Sequence, residues 1–416
     1  MKKKHFPRQV NLACQGLITR NNNAFELAHH FIPQGNLLFS RLQRYASFLS
    51  KVEQETQSSF CHAQGQGQAA QFLVYLLPFL MAFGATEQRI EEYSTVSISL
   101  IAGVEKFLNA GRSAIPCFLI SSAYKPFVQS LGHLLGFRES EVYYTPLNVV
   151  SGLDQCSINE SEREILKDLA DEIIDMPLLS WEKNAPQRQG GLPLTCALSS
   201  QGREEDLRDH VNRSDPPRKE IIPDSPRKEV IEVIPEHIPY RQRLEIIFGE
   251  EIAGMQAGKI LTQVTALAGD EKVKAVIDSL GKTGNPAEGV LYFGCSVLDA
   301  AALDWVKKAG GMAISFNGDR AAVRSSEVAV MSGTSVILAI LIDTFFQQGK
   351  EGVLELVKNW DLHKIQTEKL KIHPSLMHEL FSHEHESFPL LELVENSNLE
   401  RLIGERQGAK PSKPMS

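Results

Sequence analysis

The sequence predicts an α/β protein built on a parallel sheet with helices on both faces. Short apolar segments with the length of buried strands occur at residues 9–13, 115–120, 289–293 and 312–315. Long stretches of helical periodicity separate them, and this alternation is typical of a parallel sheet, whose neighbouring strands need crossover connections. A helical block at residues 24–110 follows the first strand. We expect it to form a cap over the carboxyl edge of the sheet.

The first half of the chain supports this order of elements. The first strand ends in Cys14-Gln15-Gly16, and the following asparagines, Asn21 to Asn23, predict a capped helix start near Ala24. Within the block, apolar residues three and four apart in FELAHHF, LLFSRLQRYASFL and AAQFLVYLLPFLMAF predict helices. A charged amphipathic helix is predicted at residues 158–177.

Composition changes sharply in the middle of the chain. Residues 182–243 are rich in Pro, Arg, Glu, Gln and Ser and contain a near-duplication, DPPRKEIIP followed by DSPRKEVI. Such a segment buries too little apolar surface to offset its ordering entropy, which predicts a disordered insertion. The alternative interpretation is a charged docking linker for a protein partner. Beyond it, residues 244–280 read as helical or mixed, and residues 334–404 as helical.

These observations divide the chain into six segments. They are residues 1–23 (first strand and loop of the α/β core), 24–110 (helical cap), 111–180 (core continued), 181–243 (polar insertion), 244–358 (core with its last loop) and 359–416 (helical extension and loose tail).

Composition limits the possible function classes. The 416 residues are 43% hydrophobic and 23% charged, as in ordinary soluble proteins, and the net charge of −8 argues against a nucleic-acid partner. Six scattered cysteines without CxxC spacing favour a reduced cytoplasmic protein rather than a zinc or disulfide scaffold. The most apolar stretch, residues 72–83, contains a proline and is too short to span a membrane.

One loop carries the strongest functional signal. Gly294-Cys295-Ser296-Val297-Leu298-Asp299 directly follows the apolar strand, where open α/β sheets place their ligands. Its spacing resembles the GDxxxD loop with which phosphatases of the haloacid dehalogenase type hold magnesium. In this chain, Cys295 stands where the first aspartate would be.

The chain more widely resembles the haloacid dehalogenase (HAD) superfamily, and most closely proteins called energy-converting hydrogenase subunit R and their relatives. The resemblance covers most of residues 8–180 and 245–358. It rests on NNNAFELAHHFIPQGNLLFSRLQRYASFL, FLISSAY and GGMAISFNGDRAAVRSSEVAVMS in this order. It implies a HAD-like core with a helical cap inserted after the first strand.

The resemblance also implies a chemistry that the chain has largely lost. Such enzymes attack phosphorus with a first-loop carboxylate, move protons with a second acid, and hold Mg²⁺ with carboxylates. The nucleophile position is Ala13, the acid/base position is Gln15 and a metal position is Cys295. Asp299 remains as a weak remnant of the metal site.

The phosphate-holding half of the site is better preserved. Hydroxyl, amide and lysine groups of this kind neutralise phosphoryl oxygens. The candidates for binding an anion are Ser121, Ser122, Lys272, Gly16, Ser296 and Asn317. As alternatives, Lys272 and Asp299 pair only to hold loops together, and Asn317 only forms a turn. A redox pair of Cys14 and Cys295 is a further alternative.

Three hypotheses follow from the sequence. The first is a HAD-fold protein that has lost hydrolysis and acts as a binding, regulatory or assembly module without a cofactor. The second is a phosphate-ester hydrolase with a modified mechanism, which would require Mg²⁺. The third is a structural remnant that binds another protein, with residues 181–243 as part of the surface.

Overall fold

The computed structural model describes residues 7–56, 68–105, 107–108, 115–147, 158–183, 231–233, 235–363, 372–382 and 388–408. The strands are Gln9–Leu12 (β1), Cys117–Tyr124 (β2), Val142–Thr145 (β3), Trp181–Lys183 (β4), Ile231–Val233 (β5), Val290–Gly294 (β6), Met312–Phe316 (β7), Val328–Met331 (β8) and Leu390–Leu393 (β9). The helices of the first half are Asn23–Phe31 (α1), Gly35–Thr56 (α2), Gln71–Tyr75 (α3), Leu77–Ala82 (α4), Glu87–Ser97 (α5), Lys125–Leu134 (α6) and Glu160–Asp175 (α7). Those of the second half are Ile238–Ile246 (α8), Lys259–Gln263 (α9), Asp270–Thr283 (α10), Ala300–Lys308 (α11), Arg320–Ser325 (α12), Val336–Lys358 (α13), Pro374–Ser382 (α14) and Leu399–Gly408 (α15).

Seven strands form one sheet in the order β3-β2-β1-β6-β7-β8-β9. All neighbours are parallel except β8 and β9, which are antiparallel. The first strand, β1, lies between β2 and β6, with Leu12 opposite Leu119 on one side and Phe293 on the other. The carboxyl ends of these three strands therefore meet at one edge of the sheet.

Helices cover both faces of this sheet. On one face, Val10 and Leu12 of β1 pack in a core with residues of α6 and α13. On the opposite face, the polar side chains Gln9 and Asn11 are buried and hydrogen-bonded to Ser279 of α10. Alternation of side chains along a strand explains this division, because successive residues point to opposite faces. The predicted fold class is confirmed: a mostly parallel α/β sheet with helices on both faces and a helical block inserted after the first strand.

The helical block has a hydrophobic core of its own. Residues of α1 to α4 form it together with Leu166 and Ile173 of α7, and with Leu244 and Phe248 from the segment after β5. The sequence predicts α7 and the start of residues 244–358 as parts of the α/β core. In the structure, both contribute apolar side chains to the core of the block.

Parts of the predicted disordered insertion are ordered. The strands β4 and β5 pair as an antiparallel ribbon, and α8 begins at residue 238. The remainder of the insertion, residues 184–230 and 234, lies outside the described residues, so the predicted disorder and docking role of that part stay predictions.

The predicted all-helical character of residues 334–404 needs a correction. The segment contains a strand, β9, which pairs with β8 from Leu390 opposite Met331 to Leu393 opposite Val328. Its pattern Leu-Leu-Glu-Leu is short and does not alternate, so tertiary pairing at the sheet edge decided its conformation. Among the described residues, no helix combines the length and apolar character that crossing a bilayer requires.

Candidate functional site

The sequence-predicted site residues converge at the carboxyl ends of β1, β2 and β6. Continuing the parallel register two residues beyond Leu12 places Cys14 beside Ser121 on β2 and beside Cys295 after β6. The ladder continues that far on the β6 side, because the Ala13 amide donates to the Phe293 carbonyl across 2.9 Å. Three of the predicted loops therefore share one edge of the sheet.

The first loop is a tight turn held by its own backbone. The carbonyl of Cys14 accepts from the amides of Leu17, Ile18 and Thr19 at 3.3, 2.8 and 3.1 Å. Gly16 has a φ of +75°, a conformation that favours glycine. Its amide donates to the Thr19 carbonyl across 2.8 Å, so this predicted anion donor already has an acceptor.

Ala13, the predicted nucleophile position, carries only a methyl group as its side chain. Ala13 is 2% exposed and follows Gln9 and Asn11 on the face of β1 that α10 covers. Lys272 lies on α10, two helical turns before Ser279, on the stripe that faces this part of β1. The lysine thus faces the region where a first-loop carboxylate would stand, and a methyl group is there instead.

Ser121 and Ser122 lie within β2, which extends beyond the predicted end at residue 120, and both side chains are buried and hydrogen-bonded. The Ser121 hydroxyl accepts from the Ala123 amide at 3.2 Å. The Ser122 hydroxyl donates to the Leu267 carbonyl across 2.7 Å. Burial raises the pKa of the Cys14 thiol to about 11, so this cysteine is a protonated packing group at neutral pH.

Lys272 and Asp299 form a buried ion pair, with side chains 3% and 1% exposed. The Asp299 carboxylate accepts from Lys272 and, at 3.2 Å, from the Tyr292 hydroxyl on one oxygen. On the other oxygen it accepts from the amides of Cys295 and Ser296 and from the Ser296 hydroxyl, at 3.0, 3.1 and 3.2 Å. Five donors therefore surround one carboxylate.

These donors set the ionisation state of Asp299. Burial by itself raises the pKa of this carboxyl group, but the charge and hydrogen bond of Lys272, together with the amides of Cys295 and Ser296, outweigh it. The net result is a pKa below the ordinary value, so the group is ionised at neutral pH. Gly294 makes room for it, because a Cβ there would lie 2.7 Å from that of Asp299.

The last loop is tied to the first loop and to α12. The thiol of Cys295 donates to the Gln15 carbonyl across 2.8 Å. Asp319 accepts from the Val297 amide at 2.7 Å and from Ala321 and Ala322 at the start of α12. Asp319 was missed as a site residue, although an acid just before a helix is a recognisable N-cap signal.

The Asn317 side chain is hydrogen-bonded to the loop after β8. It has a φ of 47°, and its side chain exchanges hydrogen bonds with the backbone of Ser332 at 2.8 and 3.0 Å. Its side chain thus ties the end of β7 to the loop after β8. This contact matches the turn-forming alternative; Asn317 as an anion ligand stays a prediction.

Magnesium does not fit the residues present. Mg²⁺ needs hard oxygen ligands with free lone pairs in near-octahedral geometry. Ala13 has no donor atom, Cys295 offers a soft thiol, and the Asp299 oxygens are already occupied by five donors. Throughout the described ranges, no three His, Cys, Asp or Glu side chains are grouped so that they could hold a metal ion.

The helical block closes over this edge of the sheet. Tyr124 is fully buried at the end of β2, and its hydroxyl donates to the Leu73 carbonyl of α3 across 2.6 Å. Leu298 of the last loop packs against the core of the block. The block therefore contacts the ends of both β2 and β6.

Comparison with solved structures identifies a shared fold. The structure of gene product AF1437 from Archaeoglobus fulgidus superposes with a TM-score of 0.65 at 18% identity, over 97% of this chain and 95% of that one. The two chains share a fold over nearly their whole lengths. No protein-family model and no curated protein sequence matches the chain.

Phosphatases appear among weaker structural matches. A HAD family hydrolase from Salmonella enterica serovar Typhi matches with a TM-score of 0.36 at 8% identity, over 76% of this chain and 64% of that one. An apo phosphoserine phosphatase matches with a TM-score of 0.34 at 9% identity, over 78% of this chain and 92% of that one. Scores this low do not establish a shared fold.

Proposed function

We propose that this chain is a HAD-like protein of phosphatase-type ancestry that no longer hydrolyses phosphate esters and acts as a binding or assembly module. The HAD-like assignment is supported by the sequence motifs that resemble the superfamily. It is also supported by the place of residues 13–16, Ser121 and residues 295–299 at the carboxyl ends of β1, β2 and β6. The resemblance to energy-converting hydrogenase subunit R belongs to the same proposal. It suggests a role within a protein complex.

One observation gives the main support for the proposed loss of hydrolysis. The only carboxylate left of the predicted catalytic and metal positions, Asp299, is enclosed by five donors and serves as the counter-ion of Lys272. A hydrolase of this type needs a free carboxylate to attack phosphorus and others to bind the cation. Removing a covalent nucleophile alone typically costs ~10⁶ in rate.

Hydrogen bonds within the loops argue against the predicted anion pocket. The Gly16 amide, the Ser296 amide and hydroxyl and the Ser122 hydroxyl each donate to an acceptor within the chain. A phosphate would have to break these bonds before it gained its own. We therefore propose a structural role for the loop cluster formed by residues 13–16, Ser121, Ser122 and residues 295–299. It holds the carboxyl ends of β1, β2 and β6 together.

A phosphatase assay tests the proposal. Purified protein is incubated with p-nitrophenyl phosphate and phosphoserine, with and without Mg²⁺, beside the variant Asp299→Asn. We expect the two proteins to show the same background rate, independent of Mg²⁺, because any such rate comes from contaminants. Mg²⁺-dependent turnover that Asp299→Asn abolishes, with a phosphorylated side chain trapped on the protein, would contradict the proposal.

A further inference from the structure

The first turn of α1 contains buried hydrogen-bond donors that have no acceptor among the residues that the structure describes. Asn22 caps the nine-residue helix, and its side chain accepts from the Phe25 amide. The amides of the two preceding helical residues, Asn23 and Ala24, donate to no acceptor in the described part of the chain. These residues are 0% and 1% exposed.

The side chain of Asn23 adds a third buried donor, on the same residue as one of these amides. Its Oδ1 accepts from the Tyr124 amide at 3.3 Å, so the amide group bridges the start of α1 and the end of β2. Its Nδ2 belongs to the same planar group and is buried without a partner among the described residues. Because Tyr124 donates, the oxygen must face it and the NH₂ group must point elsewhere.

Glu26, the acidic residue in the first turn of α1, accepts from other donors. Glu26, in the first turn of α1, accepts from the Asn21 side chain at 3.0 and 2.9 Å and from the Asn22 amide at 3.2 Å. Its carboxylate is thus committed to the residues before the helix. The helix dipole adds positive potential at its N-terminus, which favours an acceptor with negative charge.

We propose that the start of α1 binds the anionic oxygen of a small ligand, a phosphate or a carboxylate, between the helical block and the end of β2. Asn23 contributes its backbone amide and its Nδ2, and Ala24 contributes its backbone amide. A buried donor without a partner destabilises the fold, and a ligand oxygen that accepts from it removes that penalty. This site uses none of the bonds around Lys272, so it does not depend on whether the chain hydrolyses esters.

Thermal unfolding tests the site with defined anions. The full chain is melted in sodium phosphate, in sodium acetate and in sodium chloride of equal ionic strength. We expect phosphate or acetate to raise the melting temperature relative to chloride. Equal melting temperatures in all three salts at millimolar anion would overturn the proposal, and the response to phosphate against acetate tells which anion the site takes.

Two variants test whether the response of the melting temperature to anions arises at Asn23. Asn23→Asp keeps the acceptor for the Tyr124 amide and replaces the Nδ2 donor with a negatively charged oxygen, so anion affinity should fall at least about tenfold. Ser326→Ala removes a buried hydroxyl that precedes β8, far from α1 in the fold, and should leave the response unchanged. An unchanged affinity in Asn23→Asp, or its loss in Ser326→Ala, would contradict the assignment.

A direct readout covers the case in which Asn23→Asp does not fold. In the ¹⁵N-labelled wild-type protein, phosphate or acetate should shift the backbone resonances of Asn23 and Ala24 and the side-chain NH₂ of Asn23. Shifts confined to other residues would overturn the proposal. So would an experimental structure at millimolar phosphate and acetate in which a water molecule occupies the three donors.

Discussion

Lys272 of α10 reaches Asp299 at the end of the last loop, and the two charges form an ion pair that is almost entirely buried. The pair connects a helix on one face of the sheet to the loop after β6. It neutralises the only carboxylate left of the predicted catalytic and metal positions. Its energetics therefore give the first prediction.

Removing one partner of this pair should be more harmful than removing both charges. Lys272→Met leaves Asp299 buried without its counter-ion and should lower the free energy of unfolding by about 3–5 kcal/mol. In the double variant Lys272→Met/Asp299→Asn neither charge remains, so part of that loss should be recovered. Urea unfolding of the two variants and the wild type measures the difference. A double variant less stable than Lys272→Met would show that the ion pair is not the reason for the loss.

Acid should weaken the protein through Asp299. Its pKa is lowered in the folded state, so below about pH 4 the unfolded chain binds a proton at this position that the folded chain does not. The stabilisation is therefore present above that pH and is lost as pH falls through the folded-state pKa. Unfolding free energies between pH 7 and 3 should fall more steeply in the wild type than in the double variant. Identical slopes would contradict the lowered pKa.

The two cysteines of the site should differ in reactivity. The pKa of Cys14 is about 11, which leaves about one thiol in a thousand ionised at pH 8, and the residue is buried. Cys295 is half-buried. Alkylation by iodoacetamide, mapped by mass spectrometry, should modify Cys295 at least ~100-fold faster than Cys14. In guanidinium the difference should vanish. Equal rates in the folded protein, or a Cys14–Cys295 disulfide after peroxide, would favour the redox interpretation.

Two glycines in helices should respond in opposite directions to alanine. Gly349 interrupts α13 with φ 72° and ψ −163°, and an added Cβ would lie 2.8 Å from the Arg8 guanidinium. Gly349→Ala should therefore cost about 1–3 kcal/mol. The matched control is Gly281 of α10, where an added Cβ meets nothing within 4 Å. Gly281→Ala should gain about 0.5–1 kcal/mol. Melting temperatures that move in the same direction would contradict this account of the kink.

The sequence predicted the central strands and their shared edge because the signals there are local. The apolar runs at β1, β2, β6 and β7 are short, bounded by polar loops and separated by helical periodicity. The helix start predicted near Ala24 is confirmed to within one residue, because α1 begins at Asn23 with Asn22 as the N-cap. Each of these features is determined by neighbours in sequence.

Long-range packing was not predictable in the same way. The helix α7 has an amphipathic pattern that fits the sheet and the helical block equally well, and only the folded chain shows that it packs on the block. The roles of Tyr292 and Asp319 depend on partners 7 and 22 residues away. That the donors of Ser122 and Asn317 are engaged by backbone carbonyls cannot be read from a pattern of residue types.

Magnesium calorimetry tests the central claim most directly. The wild type and the variant Ala13→Asp/Gln15→Glu/Cys295→Asp are titrated with MgCl₂ at neutral pH. We expect no binding heat from the wild type, because its loops offer Mg²⁺ no free carboxylate, and measurable binding by the variant, in which three are restored at one sheet edge. Wild-type binding that disappears in Asp299→Asn would contradict the claim.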